Sequence, residues 1–163
     1  MRAPLPSIEK VRELLTYDSE TGLFHAIKRS GTRMPGDLAG TTHSAGYTAI
    51  QVAGRLCFAH RLAWFYMHGE WPTACIDHID GDRKNNAIAN LRSVDQRTNN
   101  QNKRSATYKC KVGLLGVTPL NGRFRASIGF NKHSFHLGMF DTPEEAHMAY
   151  IEKKRELHAG CTL

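Results

Sequence analysis

Two short strand-like runs, residues 74–78 and 90–94, bracket a polar loop over 79–89, and Asp95 then stands where it can cap a helix running to about Arg104. This order of strand, loop, strand and helix leaves the chain little freedom, because two such short strands need a sharp connection. Gly81 permits one. The stretch is also unusually polar, with Asp77, Asp80 and Asp82 ahead of Asn85, Asn86, Asn90, Asn99, Asn100 and Asn102. An ordinary turn cluster or a calcium-type loop is the plain reading of those acids. The calcium loop fails on spacing, since no Glu closes a 12-residue pattern begun at Asp77 or Asp80.

The residue types suit phosphodiester hydrolysis. That chemistry needs charge neutralised on the phosphate and a base for the attacking water. A hard divalent cation serves the first need and prefers carboxylate and amide oxygens, which Asp77 and Asn99 can supply. A neutral imidazole at His78 serves the second. Adjacent strand residues point to opposite faces, so a local bend is expected if Asp77 and His78 share one site. The second ring nitrogen of His78 needs an acceptor, for which Asn90 on the returning strand is the nearest candidate.

Charge is distributed unevenly. Residues 1–82 carry 8 Lys/Arg against 9 Asp/Glu, residues 83–104 carry 6 against 1, and residues 105–163 carry 8 against 5. A polyanionic partner beside a small acidic site accounts for this pattern, the bland alternative being an inert basic surface. The four cysteines, Cys57, Cys75, Cys110 and Cys161, have no C-x-x-C spacing. Free thiols in a reducing cytoplasm are therefore expected, with no structural zinc and no disulfide framework. No apolar run is long enough to span a membrane, and no apolar segment of signal-peptide type follows the first residues, so a cytoplasmic location is expected.

Elsewhere, Ser7 can cap a short helix carrying Ile8, Val11, Leu14 and Leu15, followed by a turn at 18–22 and a strand near 23–27. Residues 29–45 read as loop, and 47–58 read as a hairpin turning at Ala53-Gly54. A helix over 59–67 is ended by Gly69 and Pro72, and its Trp64, Phe65 and Tyr66 read as core. After a linker over 105–115, strands are expected at 123–128 and 134–140. Thr142 or Asp141 then caps a helix running to about His158, with Pro143 in its first turn.

The run Asp77-His78-Ile79-Asp80-Gly81-Asp82, with Asn85-Asn86, Asn90-Leu91-Arg92 and Asn99, closely resembles the HNH (His-Me finger, ββα-metal) endonucleases, particularly their phage and bacterial homing-type subgroup. Asn90 lies 12 residues after His78, and Asn99 lies 22 after Asp77. His60-Arg61 and Gly69-Glu70-Trp71-Pro72 also look like that subgroup. The resemblance implies His78 as general base and Asn90 as the clasp of the loop, together the candidate catalytic pair. It also implies Asp77 and Asn99 as ligands of one Mg²⁺ or Mn²⁺. Gly116-Val117, the run from Gly122 to Ile128, His136-Leu137-Gly138 and Ala146 through Tyr150 resemble the Apetala/ethylene-response-factor DNA-binding domain, a three-stranded sheet with a helix behind it. Thr118-Pro119 departs from that pattern, which has an aromatic there.

The expected fold is α+β: small hairpin and helix elements, then a ββα-metal core at about 74–104, together spanning 1–104. A small sheet-plus-helix DNA-binding module at 116–163 follows. The expected activity is metal-dependent cleavage of double-stranded DNA by a homing-type nicking enzyme, in a bacterial or phage-infected cell. Arg83, Lys84, Arg97, Lys103, Arg104, Arg123, Arg125 and Lys132 are the expected DNA contacts. A monomer is expected, with a dimer as the variant that would cut both strands. The alternative from another class is a non-catalytic DNA-binding or regulatory protein on a nuclease scaffold.

Overall fold

A computed structural model describes residues 4–101 and 112–158. Lys103, Arg104, Cys110, Cys161 and most of the expected linker lie outside these residues. The chain is mixed α+β, built from small antiparallel sheets and helices. It divides into two units, Met1–Asp95 and Gln96–Leu163.

In the first unit, α1 (Ile8–Leu14) begins at Ser7, whose hydroxyl accepts the Lys10 amide at 3.3 Å. The chain passes directly into β1 (Leu15–Tyr17), which pairs with β2 (Phe24–Ala26) in an N-terminal hairpin. β3 (Thr41–Thr42), β4 (Thr48–Val52) and β5 (Arg55–Phe58) form a meander. Ala53 and Gly54 both take positive φ at the β4–β5 turn, as a tight two-residue hairpin loop requires. α2 (Ala59–His68) ends at Gly69 in the left-handed conformation.

β6 (Cys75–His78) and β7 (Leu91–Val94) close the unit as a two-stranded antiparallel pair. A short 3-10 turn over Ile88–Asn90 leads into β7. The core joins Val11 and Leu15 to Phe24, Ile50, Val52, Leu62, Ala63 and Phe65, and takes in Ile76 and Leu91. One apolar side chain from each strand of the β6–β7 pair thus anchors it to α2 and the meander, which leaves its polar residues for other work. Of the helix aromatics, Phe65 is buried and Trp64 and Tyr66 pack partly buried against the same core.

The second unit begins with α3 (Gln96–Gln101). It also holds a sheet of β8 (Val117–Leu120), β9 (Arg123–Phe130) and β10 (His133–Phe140), with β9 in the middle. Against the sheet packs α4 (Pro143–Leu157). Val117, Ala126 and Ala146 are its buried centre, flanked by Phe124, Leu137, Phe140 and Ala149. Thr142 caps α4 in a capping box with Glu145, and Pro143 opens its first turn. β8 is present although Thr118-Pro119 departs from the expected pattern. Asn121 and Gly122, both at positive φ, make its hairpin to β9. No described helix is long and apolar enough to cross a membrane.

Candidate functional site

β6 and β7 pair in unbroken register, with Asp77 opposite Arg92 and His78 opposite Leu91. Cross-strand partners share a face, and Arg92 uses it to hold Asp77: Nε lies 3.0 Å and Nη2 2.8 Å from Asp77 Oδ2. The expected bend between Asp77 and His78 is absent from the strand. Pleating sends His78 the other way, where its ring meets His60 of α2 edge-on at 5.2 Å and lies 6.0 Å from Tyr47.

His78 is buried, and its Nε2 lies 3.2 Å from Asn86 Oδ1. The Asn86 amide has its own orientation fixed, because its Nδ2 donates to the Lys84 carbonyl at 2.9 Å. A carbonyl oxygen only accepts, so the network assigns the proton to Nε2 and the lone pair to Nδ1. The ring's partner is therefore Asn86 and not Asn90, which corrects the sequence expectation. Burial lowers the pKa of His78. The Asn86 hydrogen bond and the carboxylates of Asp80, Asp77 and Asp82 pull in the opposite direction.

Asn90 holds the loop instead. Its Oδ1 accepts the Asp80 amide at 3.0 Å, and its Nδ2 donates to Asp80 Oδ1 at 2.9 Å and to the Asn85 carbonyl at 2.8 Å. Asp80 also receives Asn85 Nδ2 at 2.7 Å and the Asp82 amide at 2.8 Å. Partial burial would raise the Asp80 pKa, but these hydrogen bonds outweigh it and hold the carboxylate below its ordinary range. Asp82 Oδ1 accepts the Lys84 amide at 2.9 Å. Asp80 and Asp82 thus fold the loop, and Gly81, at φ +77°, makes its sharp turn.

A wall of rings backs His78. His60 lies between Tyr47, at 5.0 Å, and Phe58, stacked at 5.8 Å. It is buried, its Nδ1 has no hydrogen-bond partner among the described residues, and burial, with His78 and Arg61 adding to it, takes its pKa down to about 3. In the sequence His60 stands out only as part of the upstream run His60-Arg61, and tertiary packing is what sets it beside His78. Arg83 sits over the Tyr47 ring at 5.0 Å and donates to the Ala45 carbonyl at 2.7 Å, while Lys84 is exposed.

The remaining expected residues lie in the second unit. Asn99 and Arg97 are on α3. On β9, Ala126 and Ile128 are buried, whereas Arg123 and Arg125 alternate with them and are exposed. Arg123 Nε pairs with Asp141 at 2.7 Å. Lys132 occupies the β9–β10 turn at φ +67°. Cys57 is a buried thiol whose pKa burial raises, and Cys75 is half-buried.

Residues 57–101 match the family model of HNH endonucleases. That segment is thus similar to an HNH domain, a nuclease module of the hydrolase class from a family that acts on DNA. That domain takes in α2, the β6–β7 pair, the loop between them and α3. HNH nucleases generally use a divalent metal ion. Among the described residues, no group of three or more His, Cys, Asp or Glu side chains is placed to hold a metal. No curated protein and no solved structure matches the chain.

Proposed function

We propose that the chain is a metal-dependent endonuclease that hydrolyses phosphodiester bonds of double-stranded DNA, in the manner of homing-type nicking enzymes of phages and bacteria. The observation that carries this reading is the setting of His78: buried, with its pKa lowered by that burial, and with Nε2 tied to an asparagine whose own orientation is fixed. A base for water needs such a lone pair on a ring that cannot turn.

Asp77 and Asn99 are the proposed ligands of one hard divalent cation. Asp77 and Asn99 would offer it one carboxylate and one amide oxygen, and Mg²⁺ is ordinarily held by one or two carboxylates with water rather than by a full protein cage. When bound, the cation supplies charge neutralisation at the scissile phosphate. His78 Nδ1 takes a proton from the attacking water as the new P–O bond forms. The ester P–O bond then breaks, and its oxygen leaves with a proton from solvent. As the imidazole becomes charged, its Nε2–H donates more strongly to Asn86, and the carboxylates of Asp80, Asp77 and Asp82 favour the cation. Asn90 keeps the loop closed around that arrangement.

Arg83, Lys84, Arg97, Lys103 and Arg104 would follow the DNA backbone. The second unit would hold DNA on the sheet face away from α4, through Arg123, Arg125 and Lys132, as an Apetala-like module does. One such site per chain favours nicking over a double-strand break.

Supercoiled plasmid and phage DNA, incubated with Mg²⁺ or Mn²⁺, test the reading. The wild type is expected to yield nicked circles and His78→Ala to lose that activity. If both proteins bind the DNA and neither cuts it, the chain is a DNA-binding protein on a nuclease scaffold and the enzyme reading is lost.

A further inference from the structure

Asn86 is held from a part of the chain that lies outside the HNH match. Tyr17, on β1, donates its hydroxyl to the Asn86 backbone carbonyl at 2.7 Å, across 69 residues of sequence. Burial, with Asp18 adding to it, pushes the Tyr17 pKa up to about 12, so the hydroxyl keeps its proton and stays a donor. Two residues along, the Ser19 carbonyl accepts the Ile88 amide at 3.1 Å. Gly22 completes the contact: a β-carbon there would overlap the Asn86 carbonyl carbon and the Ala87 nitrogen, and its φ is +74°. Only glycine lets the turn and the loop approach so closely.

The turn that makes these contacts is stiff. Asp18 accepts the Glu20 amide at 2.9 Å and the Thr21 hydroxyl at 2.7 Å, and its carbonyl accepts the Gly22 amide at 2.8 Å. The hairpin is also anchored. Leu15 and Phe24 are buried in the core, and the Tyr17 ring lies 4.6 Å from Phe24 and 5.7 Å from Tyr66.

We infer that the β1–β2 hairpin is a positioning element for the catalytic base, with Tyr17 and Gly22 fixing the Asn86 backbone so that the Asn86 side chain fixes the ring of His78. This rests on His78 being the base. Asn86 is the joint: its backbone faces the hairpin, its Nδ2 is spent on Lys84, and its Oδ1 meets the imidazole. Shifting that backbone by a fraction of an ångström changes the acceptor that selects the tautomer. A hairpin that merely packed would leave the tautomer alone.

The test uses the full chain and two variants, Tyr17→Phe and Gly22→Ala. Long-range ¹H–¹⁵N correlation reads the His78 tautomer, with His78→Gln identifying its signals, and plasmid cleavage with Mg²⁺ gives kcat and KM. Wild type is expected to show a single Nε2–H tautomer. Tyr17→Phe, which keeps the ring packing, is expected to show a mixture and to lose about tenfold in kcat with KM nearly unchanged. Gly22→Ala should lose more, and should it fail to fold, Tyr17→Phe decides alone. Wild-type tautomer and kcat in a folded Tyr17→Phe protein would overturn the inference. A wild type that cuts no DNA with either metal removes the nuclease reading, while the tautomer still decides whether the hairpin sets His78.

Discussion

Arg92 holds Asp77 from across the β6–β7 pair, with two nitrogens on one carboxylate oxygen. The Asp77 side chain is 9% exposed and that of Arg92 28%, so the anion is the more deeply buried partner. Taking away the guanidinium removes this ion pair from a buried carboxylate. Arg92→Leu is expected to destabilise the first unit by roughly 3 kcal/mol, read by urea unfolding. Adding Asp77→Leu should recover part of that loss, because the buried charge that Arg92 offsets is then gone.

Asn86 and Asn90 should separate in their effects. Asn86→Ala removes the Asn86 acceptor of the buried His78 Nε2–H, and a tenfold to hundredfold fall in kcat is expected under the proposed function, about what an orienting partner of a reactive group contributes. Asn90→Ala removes three hydrogen bonds that close the loop, so its first effect should be on stability, about 2–3 kcal/mol. Plasmid nicking and urea titration of both variants check the contrast. Equal losses of kcat and stability in the two would contradict it.

The caps and turns were legible because their chemistry is local. Ser7 and Thr142 act on amides three residues away, and Ala53-Gly54 sets its own turn. The clasp at Asn90, which the family resemblance implies, spans ten residues. The partner of His78 did not follow. Asn85 and Asn86 are chemically alike and adjacent, and only the path of the loop sends one toward Asp80 and the other toward His78. His60 looks like any residue of an apolar helix until tertiary packing sets it against His78. The β1 strand, read as the end of a helix, needs its partner β2 to be recognised. The β8 strand has a local signal in Asn121-Gly122, the turn pair of its hairpin to β9.

Acid should weaken the fold through His60. Its imidazole titrates near 6.5 when unfolded and near 3 when folded, so between those values the unfolded chain binds the extra proton. Stability is then complete above about pH 6.5 and falls as the pH drops toward 3. At pH 5 the loss from this one group is about 2 kcal/mol, at about 1.4 kcal/mol per pH unit. Burial of His78 acts in the same direction. Urea unfolding at pH 7 and pH 5 should show the loss in the wild type and a smaller one in His60→Leu.

The two arginines of β9 differ in how committed they are. Arg123 is already paired with Asp141 and also donates to the Met139 carbonyl at 3.2 Å, whereas none of the ion pairs among the described residues involves Arg125. If the sheet face holds DNA phosphates, Arg125→Ala should reduce the slope of log affinity against log salt by about 1. Arg123→Ala should change it less, since that cation has to leave a carboxylate to reach a phosphate. Fluorescence anisotropy on a labelled duplex over a salt series measures both.

Gly22 carries a consequence for how such a domain can be inherited. Transplanting residues 57–101 into another chain would carry the proposed reactive groups but not the turn that presses on Asn86–Ala87, and an incoming residue with a side chain at position 22 would push that backbone away. A graft or recombinant should therefore keep its activity only when its breakpoint falls ahead of Tyr17, so that hairpin and loop travel together.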